Sequence, residues 1–136
     1  MAACLGVNAH IIEPAGFPVS DRDFRRAGMD YLDQVLINRH ISWDAFKEYS
    51  KDNNHRLVLL STKAQCSHIE FKFQANDILV VGRESAGVPQ SVHDWIREKV
   101  KIPMAKDMRS FNVAISAALV CGEALRQLDV WSRVDA

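Results

Sequence analysis

Cysteine is scarce and scattered: Cys4, Cys66 and Cys121 are the only ones. An odd number with no close spacing excludes a disulfide-stapled scaffold, and it offers no metal-ligand pattern. Such residues are most simply small buried side chains in a reducing compartment. Charge of either sign is also lacking in excess, since 17 lysines and arginines balance 17 aspartates and glutamates. Proteins that hold nucleic acid by bulk charge are usually basic, so a non-specific binder is disfavoured, whereas a local basic patch for one structured RNA stays open. No apolar run approaches a bilayer span. Met1-Ala2-Ala3-Cys4-Leu5 has no basic n-region of a signal peptide. A cytoplasmic protein without membrane contact is expected. Repeats, low-complexity tracts, a Gly-Lys-Ser/Thr phosphate loop and a dinucleotide fingerprint are all missing. His10, His55, His68 and His93 show no ligand spacing, and no Ser-His-Asp or Cys-His arrangement is evident. No metal is expected.

What is present is ordinary globular material: 136 residues, 48% hydrophobic and 25% charged, enough for one domain over 1–136. Short apolar runs predict strands at Ala9–Glu13, Arg56–Ser61, Asp77–Gly82 and Glu98–Ile102, with a weaker one at Asp33–Ile37. Continuous rather than alternating runs suit strands buried on both faces of a parallel sheet. Helices fit between them. Ser20-Asp21-Arg22-Asp23 starts a short one that Gly28 stops. Ser42 caps Trp43–Asp52, which Asn53-Asn54 ends. Gln90-Ser91 opens one with a stripe of Val92, Trp95 and Ile96. The last begins near Asn112 and ends near Gln127, and its small residues Ala114, Ser116, Ala117 and Ala118 permit close packing. Phe46, Phe71, Phe73, Trp95 and Trp131 are most simply core or interface residues. Alternating strands and helices mean α/β architecture with a mostly parallel sheet and flanking helices. Ligands of such sheets bind beyond the carboxyl ends of strands, so the loops after Leu60, Val81 and Ile102 are the places to look.

Those loops are unusual. Gly82-Arg83-Glu84-Ser85-Ala86-Gly87-Val88-Pro89 brackets polar residues with glycines, which permit left-handed backbone or close approach of a ligand. A plain strand-to-helix turn would read the same way. Ile102-Pro103-Met104 offers backbone groups and an apolar wall to a flat ring. Beyond it, Arg109-Ser110-Phe111-Asn112-Val113-Ala114 enters the last helix, which Ser110 or Asn112 can cap.

Together these segments resemble the SPOUT superfamily of RNA methyltransferases, in the branch of small tRNA (cytidine/uridine-2'-O)-methyltransferases that modify the wobble nucleotide. That family's pattern is a Gly-Pro-Glu-x-x-Gly-Leu-Pro loop, then Ile-Pro-Met, then Arg-Ser-Leu-Asn-Leu-Ser. Ile11-Ile12-Glu13-Pro14-Ala15-Gly16-Phe17 and Arg25-Arg26-Ala27-Gly28-Met29-Asp30-Tyr31-Leu32 are similar to the same branch, so the resemblance spans nearly the whole chain. It implies a C-terminal deep trefoil knot whose loops bind S-adenosylmethionine, with S-adenosylhomocysteine as product. By position, Leu60 with Ser61 and Thr62 would begin the first cofactor loop, Gly82 and Glu84 would sit in the second, and Ile102, Met104 and Ser110 would complete the site. Asn112 would lie at the methyl-transfer end as the catalytic candidate. Homodimerisation through the knot region and last helix, with tRNA as partner, is also implied.

The chain departs from the pattern at its start. The family opens with a strand and an Asn-Thr-Gly-Asn-Ile-x-Arg-like loop whose arginine is its proposed catalytic residue; Met1–Gly6 enters after both, so a shortened, truncated start is expected. Arg83 replaces a proline, Ala114 a serine, and Gly122 stands where relatives often carry tyrosine. Arg22, Arg25, Arg26 and Arg39, beside His40, form the densest basic cluster, readable as a phosphate-contacting patch or as a solvated face. Tyr31 could stack on a base, and Glu123 could orient Arg109 or be a surface charge. The missing arginine leaves a non-catalytic cofactor- or RNA-binding relative as an alternative to the enzyme. An rRNA 2'-O-methyltransferase is the nearest variant, and a nucleotide-binding α/β domain without an RNA role is a third reading.

Overall fold

A computed structural model of the chain describes residues 6–13, 37–83, 87–106 and 112–131. Its contacts gather into two compact units, Met1–Asn53 and Asn54–Ala136. In the first, β1 (Ala9–Ile12) pairs in parallel with β2 (Ile37–His40), Ala9 opposite Ile37 and Ile12 opposite His40. This strand overlaps the expected Asp33–Ile37 only at Ile37. Residues 33–36 lie outside the described residues, as does the helix expected after Ser20. Beyond the expected run, β2 continues through Asn38, Arg39 and His40, polar residues that leave no apolar signal; Arg39 is exposed and His40 buried. His40 is buried, stacks on His10 with ring centroids 5.3 Å apart, and lies 3.0 Å from it (Nδ1 of His10 to Nε2 of His40). Phe46 and Tyr49 of α1 (Trp43–Asp52) pack on the same imidazole. Burial lowers the His40 pKa. The α1 boundaries agree with the expected ones: Ser42 Oγ accepts the Ala45 N–H at 3.1 Å, and Asn53 is the C-cap.

The second unit is built on a four-stranded parallel sheet in the order β4-β6-β3-β5. These strands are β3 (Arg56–Leu60), β4 (Cys66–Ser67), β5 (Asp77–Val80) and β6 (Glu98–Lys101). Leu57, Val58 and Leu59 are all buried, which is why β3 reads as an unbroken apolar run. Val58, Phe71, Phe73, Val100 and Val120 form a core cluster, joined by Leu60, Leu79 and Ile102. The two-residue β4 has no periodic signature and escaped the sequence reading.

Among the described residues, two helices complete this unit. In α2 (Gln90–Trp95), Val92 and the following Ile96 are buried, but Trp95 is 50% exposed. The expected stripe therefore fails at Trp95: the helix stops there, and Ile96 turns inward from an extended conformation, with φ −76° and ψ 120°. In α3 (Val113–Gln127), Val120, Cys121 and Leu125 are buried, while Ile115 and Leu119 are exposed. Burial raises the Cys121 thiol pKa. The Gln127 side chain locks α3 to the segment before β5. Its Nε2 donates to the Phe71 carbonyl at 2.8 Å, and its Oε1 accepts the Phe73 N–H at 2.9 Å. Trp131, also partly exposed, donates from its indole to the Gly122 carbonyl at 3.2 Å. An added Cβ at Gly122 would sit 3.9 Å from that ring, so tyrosine there would have to share space with Trp131.

At the amino end of the sheet, Arg56 holds Asp77 with both Nε and Nη2, at 2.6 and 2.8 Å. Asp77 also accepts the Gln74 N–H at 2.7 Å, and the guanidinium lies 4.9 Å from the Phe71 ring. The Asp77 hydrogen bond raises the Arg56 pKa, with a smaller opposing effect of burial. The Asp77 carboxylate is 5% exposed. Asp77→Ala leaves the Arg56 charge partly buried without its partner, and is expected to cost about 3 kcal/mol, read as a lower urea midpoint at unchanged slope.

Candidate functional site

The carboxyl ends of β3, β5 and β6 open into a cavity of about 350 Å³. This is where parallel sheets bind ligands, and the volume lies within the range of small-molecule sites. Leu59 and Leu60 of β3 and the following Ser61, Thr62 and Lys63 form one wall. Val81, Gly82 and Arg83 after β5 form a second, and Lys101, Ile102 and Met104 a third, while Gln90 and His93 of α2 and Val113 and Ser116 of α3 close it.

Four of the six cofactor candidates, Leu60, Gly82, Ile102 and Met104, thus meet around one space. Glu84 and Ser110 lie outside the described residues, as do Arg109, Tyr31, and Arg22, Arg25 and Arg26 of the basic cluster. Arg39 is exposed on β2. Asn112 is the N-cap of α3: its Oδ1 accepts the Ala114 N–H at 2.8 Å and the Ile115 N–H at 3.4 Å. It is not among the residues lining the cavity, which α3 reaches through Val113 and Ser116. Glu123 pairs with Arg126, whose hydrogen bond lowers the carboxyl pKa to about 2.

The glycines of the second loop have a structural cause. Arg83 N–H donates to the Gly87 carbonyl at 3.1 Å, and Gly87 N–H returns a bond to the Arg83 carbonyl at 2.7 Å. Gly87 takes φ +65°, and a Cβ at Gly82 would sit 2.2 Å from the Gly87 carbonyl carbon. The loop can fold back against the strand end only because residue 82 has no side chain.

Histidine 93 was assigned no role from sequence, yet it lines the cavity with Nε2 3.3 Å from Ser61 Oγ. No spacing rule could find it, because Ser61 and His93 meet only through the sheet. Lys63, Arg83 and Lys101 put a cation on each of the three walls, and no aspartate or glutamate lines the cavity among the described residues. A neutral chain therefore concentrates positive charge here. The apolar walls suit a flat ring, and the cations suit an anionic group such as a carboxylate. S-adenosylmethionine, a nucleoside with an amino-acid tail, fits this donor set.

Residues 1–122 match the SpoU rRNA Methylase family. The chain belongs to that family. It is 58% identical to a tRNA (cytidine(34)-2'-O)-methyltransferase of Beijerinckia indica, over 98% of this chain and 84% of the relative. It resembles a solved structure concerned with 2-OH methylation of C/U34 on tRNA, with TM-score 0.86, 37% identity, and coverage of 94% of this chain and 83% of that one. A third likeness is the SpoU methyltransferase AviRb of Streptomyces viridochromogenes in complex with AdoMet. There the TM-score is 0.84 and the identity 25%, over 93% of this chain and 52% of that one. Parallel sheets with flanking helices are thus the SpoU architecture. Among the described residues, no helix is long and apolar enough to cross a membrane, and no cluster of metal-binding side chains occurs.

In this SpoU-family chain, Gly82→Ala drives a methyl into the Gly87 backbone. The expected result is a fall in melting temperature together with loss of ligand binding at the cavity. Gly87→Ala meets no atoms and should cost only about 1–2 kcal/mol of left-handed strain. Thermal melts of both variants check the difference.

Proposed function

We propose that this chain transfers a methyl group from S-adenosylmethionine to the ribose 2'-hydroxyl of the wobble nucleotide of a tRNA. The observation that carries the reading is the meeting of Leu60, Gly82, Ile102 and Met104 around one cavity at the sheet's carboxyl edge. The tRNA target rests on the named activity of relatives such as the one at 58% identity. The family's description names rRNA, and rRNA remains the alternative substrate.

When bound, S-adenosylmethionine supplies an already electrophilic methyl group, so the protein's work is orientation and help with loss of the hydroxyl proton. Leu60, Ile102 and Met104 would wall the adenine, and Lys63, Arg83 or Lys101 would hold the carboxylate tail. Glu84 and Ser110 belong to the same site by the family pattern. Asn112 would lie at the methyl-transfer end. Arg22, Arg25, Arg26 and Arg39 would contact RNA phosphates and make binding salt-dependent. A trefoil knot would bring the loops together. Homodimerisation through the last helix would cover the exposed Ile115 and Leu119. The compartment would be the cytoplasm.

Calorimetry with S-adenosylhomocysteine, followed by mass spectrometry of tRNA incubated with S-adenosylmethionine, tests the reading. Saturable binding and a new 2'-O-methyl group at the wobble position are expected. Leu60→Arg should weaken S-adenosylhomocysteine binding by about tenfold or more, the equivalent of 1.4 kcal/mol. Binding without methylation would favour the non-catalytic relative, and no binding by the folded chain would overturn the proposal.

A further inference from the structure

Ser61 is fixed from two directions. Its N–H donates to the Val100 carbonyl at 2.9 Å, and its Oγ accepts the Lys63 N–H at 3.1 Å. The hydroxyl position is therefore set, while the direction of its single proton is not. His93 faces it from α2, with Nε2 3.3 Å from Oγ, and both residues line the cavity. The burial of Val92 and Ile96 on either side holds this turn of α2 in place.

A serine oxygen has one proton and two acceptor lobes. Lys63 occupies one lobe. A neutral imidazole with its lone pair on Nε2 takes the Ser61 proton and leaves the second lobe open to the cavity. An imidazolium has N–H on both nitrogens, so it must donate at Nε2, which fills that lobe and turns the Ser61 proton away. Protonation of His93 thus converts Ser61 from an acceptor into a donor. The added charge joins Lys63 after β3, Arg83 after β5 and Lys101 at the end of β6; it attracts a ligand carboxylate and repels a ligand ammonium, so across a zwitterionic amino-acid tail the hydrogen-bond change decides the sign. On its own helix, the Asp94 carboxylate lies 4.0 Å from Nδ1, but it is 68% exposed and also accepts from the Gln90 amide at 2.8 Å. Solvent screens that attraction.

We propose that His93 is a positioning residue for the cavity's ligand: neutral and with its proton on Nδ1, the nitrogen 4.0 Å from Asp94, it keeps Ser61 as an acceptor for a hydroxyl or amino donor of the ligand, and doubly protonated, it withdraws that acceptor. The inference rests on the S-adenosylmethionine reading of the cavity. Binding should therefore weaken when His93 takes up a proton.

The test is calorimetry of S-adenosylhomocysteine against the full chain from about pH 8 to about pH 5.5. It compares wild type with His93→Gln, His93→Ala and Ser61→Ala, each checked for folding by circular dichroism. Wild-type affinity should fall by about fivefold on acidification, the worth of one net hydrogen bond. His93→Gln accepts through its amide oxygen without titrating, so it should keep the alkaline affinity at every pH. His93→Ala and Ser61→Ala should bind more weakly at alkaline pH, with a flat profile. In NMR of the wild type under acidic conditions, adding ligand should reduce the protonated fraction of His93, a readout that needs no functional variant. A flat wild-type profile, the same slope in His93→Gln, or a His93 protonation state indifferent to ligand would overturn the role of His93. Absence of wild-type binding at every pH would instead remove the methyltransferase reading on which it rests.

Discussion

Burial of β3 on both faces is the constraint from which the rest of the second unit follows. Leu57, Val58 and Leu59 cannot face water, so β5 and β6 flank the strand in parallel and the Phe71, Phe73 and Val120 side chains close over it. Parallel pairing places the carboxyl ends of all three strands on one edge. The chain must leave each of them through a loop, and there the backbone polar groups lose their sheet partners. A cavity bordered by three such loops is the direct result. The Arg56–Asp77 pair secures the opposite end of β3 and β5, so stability and ligand contact are divided between the two edges of one sheet.

The second loop shows how tightly this edge is built. Gly82 allows the chain to fold back onto Gly87 at a distance that no side chain would permit. The glycine motif is thus satisfied by the protein's own backbone before any ligand arrives, and the ligand meets a preformed wall. Asn112 has a similar place. As the cap of α3 it fixes where the helix begins, and hence where Val113 and Ser116 reach the cavity.

Strands β3, β5 and β6 were legible because strands buried on both faces leave continuous apolar runs, and α1 and α3 because Ser42 and Asn112 are strong caps. The continuation of β2 past Ile37 left no signal because Arg39 and His40 look like loop residues until His10, Phe46 and Tyr49 surround the imidazole of His40. Trp95 read as part of the apolar stripe because its spacing from Val92 suits a longer helix than the six residues that form. In the cavity, the apolar and glycine positions could be read from motif order, since they belong to contiguous segments. The Ser61–His93 contact spans 32 positions, and no local pattern encodes it.

The same distinction explains how a chain of zero net charge can serve an anionic partner. Net charge governs long-range, non-specific attraction, and here it is absent. Local charge is set by which strand ends converge, and convergence brings Lys63, Arg83 and Lys101 around one cavity while Asp77 is held at the far end of the sheet by Arg56. Within about a Debye length of 8–10 Å at physiological salt, a ligand experiences that arrangement rather than the balanced total. Selectivity for a structured RNA with a bound nucleoside cofactor is then compatible with weak affinity for nucleic acid in general. A small enzyme that must release its product gains from both properties.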